Sequence, residues 1–132
     1  MSKLKYLVIH CTDTPAGRKV SRKDIEQWHL VDRGWSKVGY SDMIHLDGSL
    51  ENLVPFNQDN NVQYFEITNG VRGFYDLARH IVYVGGGSGE DTRTWEQEKT
   101  LESYVKYMLL RHPTIKVVGH NQLSNKACPS FN

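Results

Sequence analysis

Two cysteines in 132 residues are too few for a disulfide framework, so any special role for either is local. Excess charge is missing as well. Sixteen Lys plus Arg stand against 15 Asp plus Glu, a formal +1, which gives nucleic-acid binding no compositional support. Long apolar runs are also lacking. The start, Met1 to His10, is basic but holds only the four-residue run Tyr6-Leu7-Val8-Ile9. That is shorter than a signal-peptide core and far short of the roughly 20 residues of a membrane span. The expectation is a chain made in the cytoplasm without a signal peptide or membrane partner, any export coming by another route. Repeats, low-complexity stretches and linkers are missing too, so residues 1–132 are expected to form one domain. What is plentiful is histidine, with six, in a chain of ordinary globular composition (39% hydrophobic, 23% charged).

The local patterns alternate between strand and helix. Tyr6 to Ile9 reads as a buried strand delivering His10 at its end. After a loop, Ser21 caps a helix with Asp24 in its first turn, Ile25 and Trp28 on its apolar stripe and Gly34 at its close. Tyr40 to Leu46, Asp47-Gly48 and Leu50 to Pro55 predict a hairpin. Residues 57 to 79 carry few signals. Ile81 to Val84 is another buried strand, ended by a flexible glycine loop that lacks the Lys-Ser/Thr of a phosphate-binding motif. Thr94 and Gln97 form a capping-box pattern for the longest helix, whose apolar stripe is Leu101, Val105, Met108 and Leu109, ending before Pro113. Ile115 to Val118 is the last strand. The fold class is therefore α/β, a single mixed β-sheet flanked by helices.

Three residues sit where chemistry gathers. His10 ends the first strand, His120 follows the last one behind Gly119, and Cys128 lies eight residues further on. Two imidazoles and a thiolate suit one Zn²⁺ ion and leave a fourth position open, as a catalytic site requires. If the first and last strands are neighbours, their ends bring His10 and His120 together. Pro129 biases Cys128 towards extended backbone, so Lys126 projects on the same side, where its ammonium favours the thiolate and an oxyanion. Tyr40 is placed to orient water if its strand lies beside the first.

Val8-Ile9-His10, Trp28-His29, Arg33-Gly34-Trp35, Gly39-Tyr40, Asp47-Gly48, Gly119-His120 and Lys126-Ala127-Cys128-Pro129-Ser130-Phe131 occur in that order. Together they resemble the zinc-dependent N-acetylmuramoyl-L-alanine amidases of type 2, in the phage-lysozyme branch related to peptidoglycan recognition proteins. The resemblance implies His10, His120 and Cys128 as zinc ligands and Tyr40 and Lys126 as catalytic helpers. It implies a peptidoglycan hydrolase, acting as a monomer on the cell wall in the manner of an endolysin. The bond cut would join N-acetylmuramic acid to the L-alanine of the stem peptide. The alternative is a non-catalytic module of the same fold that binds muropeptide or a partner protein; three filled ligand positions favour the enzyme.

The chain departs from the family at several points. Cys11 stands where many relatives carry a second His, Ser41 where His is usual, Asn121 where Arg is common and Asn132 where Asp is expected. No carboxylate lies near Val82, which puts more weight on Tyr40 and Lys126. Strand alternation sends Cys11 to the face opposite His10, so it is expected as a free thiol. His29 is expected to pack or hydrogen-bond at the core edge, His45 to face cleft or solvent, His80 to be structural and His112 to sit as a cation at a helix end. Trp35 is a candidate to stack on a sugar.

Overall fold

The first and last long strands are neighbours, and that adjacency builds the rest. The computed structural model describes residues 2–56, 59–68, 77–123 and 125–131. In chain order the elements are β1 (Ser2–Lys3), β2 (Tyr6–Cys11), α1 (Arg22–Glu26) running into a π-helical turn (Gln27–Asp32), β3 (Asp42–Ile44), β4 (Leu50–Asn52), β5 (Asn61–Val62), β6 (Ala78–Tyr83), α2 (Trp95–Arg111) and β7 (Lys116–Gly119). Among the described residues five strands form the main sheet in the order β4-β3-β6-β2-β7. β2 pairs with β6 and β7 in parallel, β3 pairs with β6 in parallel, and β3 pairs with β4 antiparallel. The sheet is mixed, as expected. β1 and β5 make a small antiparallel pair, β5 lying in the stretch 57 to 79 that carries few signals.

Local chemistry sets the element ends. The Ser21 hydroxyl accepts the Asp24 N–H at 3.1 Å while the Asp24 carboxylate accepts the Ser21 N–H at 2.9 Å, a complete capping box. Thr94 and Gln97 repeat the device at the start of α2. Gln97 does more than cap: its buried side chain donates to the Val84 carbonyl at 2.9 Å and to that of Ile44 at 3.3 Å, which ties α2 to the sheet. The hairpin turn places Gly48 at φ +86°, where an added Cβ would lie 2.9 Å from the Glu96 backbone. Glycine is required there both by conformation and by close approach.

Both faces of the sheet are covered. Leu7, Ile9, Ile44, Ile81 and Tyr83 pack against Leu101 and Met108 of α2, while Met43, Leu53, Val82 and Val84 pack against Val20 and Ile25 of the α1 side. Between β6 and β3, the buried Arg79 guanidinium donates to Asp42 at 3.2 Å, and Asp42 also accepts from Tyr104 and Asn52.

Three expectations are corrected. Leu109 is 39% exposed, because it lies about 80° round α2 from Leu101 and falls off the buried stripe. His112 is buried and bonded to Asn60, and burial followed by the Arg111 charge lowers its pKa, so the ring is neutral and not a cation. The glycine loop is pinned: Gly85, Gly86 and Gly87 donate to the Thr12 hydroxyl, the Thr92 hydroxyl and the Thr14 carbonyl. Among the described residues no helix is long and apolar enough to cross a membrane. Asn132 lies outside the described residues.

Candidate metal centre

Parallel pairing of β2 and β7 puts Ile9 opposite Gly119, so both strands end at one edge and their next residues, His10 and His120, meet. Their ring centroids are 4.8 Å apart, edge to face. The C-terminal segment folds back over the same edge. There Cys128 Sγ accepts the Cys11 backbone N–H at 3.1 Å and lies 3.8 Å from His10 Nδ1. One ligand atom from each of His10, His120 and Cys128 lies within 4.8 Å of the other two; His10 is buried and the others half-buried.

The donor chemistry fits zinc. Two ligands of a tetrahedral zinc, one nitrogen and one sulfur, stand about 3.5 Å apart, close to the 3.8 Å between His10 and Cys128. Burial, reinforced by the neighbouring histidines, holds the His10 pKa well below its usual value. Burial and the Lys126 charge lower that of His120. Both rings are therefore neutral near pH 7, with a lone pair to offer. Between the two thiols the hydrogen bond comes first: it brings Cys11 down to about 7 and holds Cys128 up, so the pair gives up one proton readily and the second with difficulty. Both cysteines are free, as expected. Although strand parity sends His10 and Cys11 to opposite faces, Cys128 touches both: it meets His10 through the ring and Cys11 through the backbone.

Tyr40 arrives by a different route from the expected one. β6, not β3, lies next to β2, so the strand after Tyr40 is two places away. Tyr40 lies just ahead of β3, and its ring reaches across to stand 5.3 Å from that of His10. Burial, followed by the charges of Cys128 and Cys11, raises its pKa, so the phenol keeps its proton. On its other side is His29, 5.0 Å away, whose Nδ1 accepts the Gly39 N–H at 2.8 Å. His29 is carried inward on the π-helical turn, with Trp35 4.8 Å from it and the Arg33 guanidinium over the Trp35 ring. Lys126 is exposed and close enough for its charge to act on His120. His45 pairs with Glu51, away from this cluster.

One contact at the site was not legible in the sequence. His80, expected to be structural, is fully buried with its Nδ1 2.9 Å from His10 Nε2. Strand parity is the signal that finds it, once the register is known. With Val8 opposite His80 and His10 opposite Val82, residues 10 and 80 share a face. Ser41, one of the departures, brackets this residue: its hydroxyl accepts the His80 N–H at 3.0 Å and its own N–H donates to the His80 carbonyl at 2.7 Å.

A family model described as N-acetylmuramoyl-L-alanine amidase (Amidase_2) matches residues 1–131. The endolysin of Enterobacteria phage K11 is 30% identical over 127 residues, covering 93% of this chain and 78% of that protein. Among solved structures, the Ph2119 endolysin from the Thermus scotoductus MAT2119 bacteriophage superposes with a TM-score of 0.81 at 25% identity, over 98% of this chain and 79% of that one. Drosophila PGRP-LB shares the fold, with a TM-score of 0.75 at 20% identity over 98% of this chain and 76% of that one. The ordered motifs, the convergence of His10, His120 and Cys128 and these likenesses lead to one assignment: the chain belongs to the N-acetylmuramoyl-L-alanine amidase family and is an amidase.

Proposed function

We propose that this amidase is a peptidoglycan hydrolase that cuts the amide between the lactyl group of N-acetylmuramic acid and the L-alanine of the stem peptide, with one zinc ion held by His10, His120 and Cys128. The observation that carries the reading is the convergence of these three donors within 4.8 Å at one edge of the sheet. Bound there, zinc supplies a Lewis acid that acidifies water and polarises a carbonyl.

The chain's own groups do the rest. The Cys11 N–H donates to the Cys128 sulfur, a bond that favours its anionic form. Tyr40, with its phenol protonated, stands beside His10 and orients the attacking water by hydrogen bonding. Lys126 offsets the negative charge that grows on the amide oxygen of the substrate. Trp35 remains a candidate for stacking on sugar at the rim of the cleft. Likeness to endolysins supports the cell wall as the place of action. The same relatives support synthesis in the cytoplasm before release.

The test is release of new amino-terminal L-alanine from purified peptidoglycan, abolished by a chelator and restored by zinc. New reducing sugar ends in place of new amines would overturn the assignment of the bond.

A further inference from the structure

The contact between His10 Nε2 and His80 Nδ1 has no role in the reaction just described, yet it decides which atom of His10 faces the cluster. At 2.9 Å the two nitrogens have room for one shared hydrogen. If His80 carried it, the hydrogen of His10 would sit on Nδ1, the atom turned to Cys128 at 3.8 Å, and that atom could hold no metal. If His10 carries it, Nδ1 is bare. We propose that His80 is the positioning residue of the metal centre: its Nδ1 accepts the Nε2–H of His10 and holds that ring with a bare Nδ1 towards Cys128 and His120. This rests on the zinc reading above.

Three observations support it. His80 is fully buried on β6, beside β2, so the ring is enclosed by the sheet and its cover. Its backbone is gripped on both sides by Ser41, through the hydroxyl and through the main chain. Its other ring nitrogen, Nε2, is buried and has no hydrogen-bond partner among the described residues. A buried polar atom left unpaired is disfavoured, and an aliphatic side chain would fill the same place without that cost. A histidine at this position is accounted for by what its Nδ1 does. Metal-binding histidines are oriented in this way by an acceptor on their second nitrogen, and loss of such an acceptor lowers metal affinity about 10- to 100-fold.

The test begins with the zinc-loaded wild-type protein and long-range proton–nitrogen NMR of its histidine rings. The expected pattern is His10 protonated on Nε2 only and His80 protonated on Nε2 with Nδ1 bare. Chelator competition then measures zinc affinity in His80→Leu, expected to fall about 10- to 100-fold, and in His80→Asn, whose carbonyl oxygen can replace Nδ1 and is expected to restore most of the loss. The NMR pattern decides even where the leucine variant fails to fold. A hydrogen on His80 Nδ1 in the loaded protein, or wild-type zinc affinity in folded His80→Leu, overturns the proposal while leaving the metal reading intact. A wild-type protein that takes up no zinc overturns the metal reading, and this inference with it.

Discussion

The backbone N–H of Cys11 points at the sulfur of Cys128, 117 residues later in the chain, at 3.1 Å. One strand end thus contributes a ring nitrogen through His10 and a hydrogen-bond donor to the adjacent Cys128 sulfur through Cys11. The bond depends on the main chain, so the Cys11 side chain is dispensable for it. Cys11→Ala is expected to retain zinc, whereas Cys128→Ala is expected to lose it and, with it, at least about 100-fold in activity. Zinc content of the two purified variants checks this. A zinc-free Cys11→Ala protein would assign Cys11 a ligand role that the geometry denies it.

Two neighbouring strands inside the sheet, β3 and β6, are tied by a buried ion pair. Arg79 and Asp42 are almost fully enclosed, and Asp42 also accepts from Tyr104 and Asn52. Removing one partner strands the other charge, so Arg79→Ala is expected to lose about 3–5 kcal/mol of stability. The double variant Arg79→Met with Asp42→Asn is expected to lose less than Arg79→Ala alone, since no charge is then left behind. Urea denaturation of the set measures both; a cost under about 1 kcal/mol for Arg79→Ala would show that water reaches the stranded Asp42 carboxylate.

Local grammar was readable in this chain and long-range register was not. Capping boxes at Ser21/Asp24 and Thr94/Gln97 and the Asp47-Gly48 turn are decided within a few residues, and each appears where expected. His10 and His120 were legible as a convergent pair because each lies at the end of a strand and those strands are neighbours. The His80 contact was missed because its partner lies 70 residues away, and the shared face exists only once β6 inserts between β2 and β3. The same insertion rerouted Tyr40. Cys11 is the free thiol expected, but its main-chain bond to Cys128 was not legible, since side-chain parity says nothing about where a backbone N–H points.

His29 gives the fold a pH dependence with a defined sign. Burial, followed by the Arg33 charge, lowers its pKa from 6.5 to about 4, and the neutral ring accepts the Gly39 N–H. The unfolded chain therefore binds this proton more readily. The stabilising contribution is complete above about pH 6.5 and is lost as the pH falls towards 4, on the order of 2 kcal/mol after allowance for solvent at the ring edge. His29→Gln is expected to flatten the loss of stability between those pH values, measured by urea midpoints at pH 7 and pH 4.5. An unchanged pH slope in the variant would place the sensitivity elsewhere, with the other buried rings.

Lys126 separates binding from catalysis more cleanly than any other residue near the site. Its ammonium is exposed, it donates no atom to the ligand cluster, and its charge acts on His120. Lys126→Ala should therefore leave zinc content and fold untouched. The rate should fall if Lys126 acts as proposed, as the cation that offsets charge on the amide oxygen; removal of a single group of this kind costs on the order of 10²-fold in kcat. Lys126→Arg keeps the charge with a different shape and should recover part of that loss. His120→Ala supplies the contrast, since it should lose metal and activity together. Rates at matched zinc occupancy, with KM and kcat separated, make the comparison. A Lys126→Ala protein with full kcat would remove the residue from the mechanism, and one with wild-type kcat but raised KM would move its role from the transition state to substrate binding.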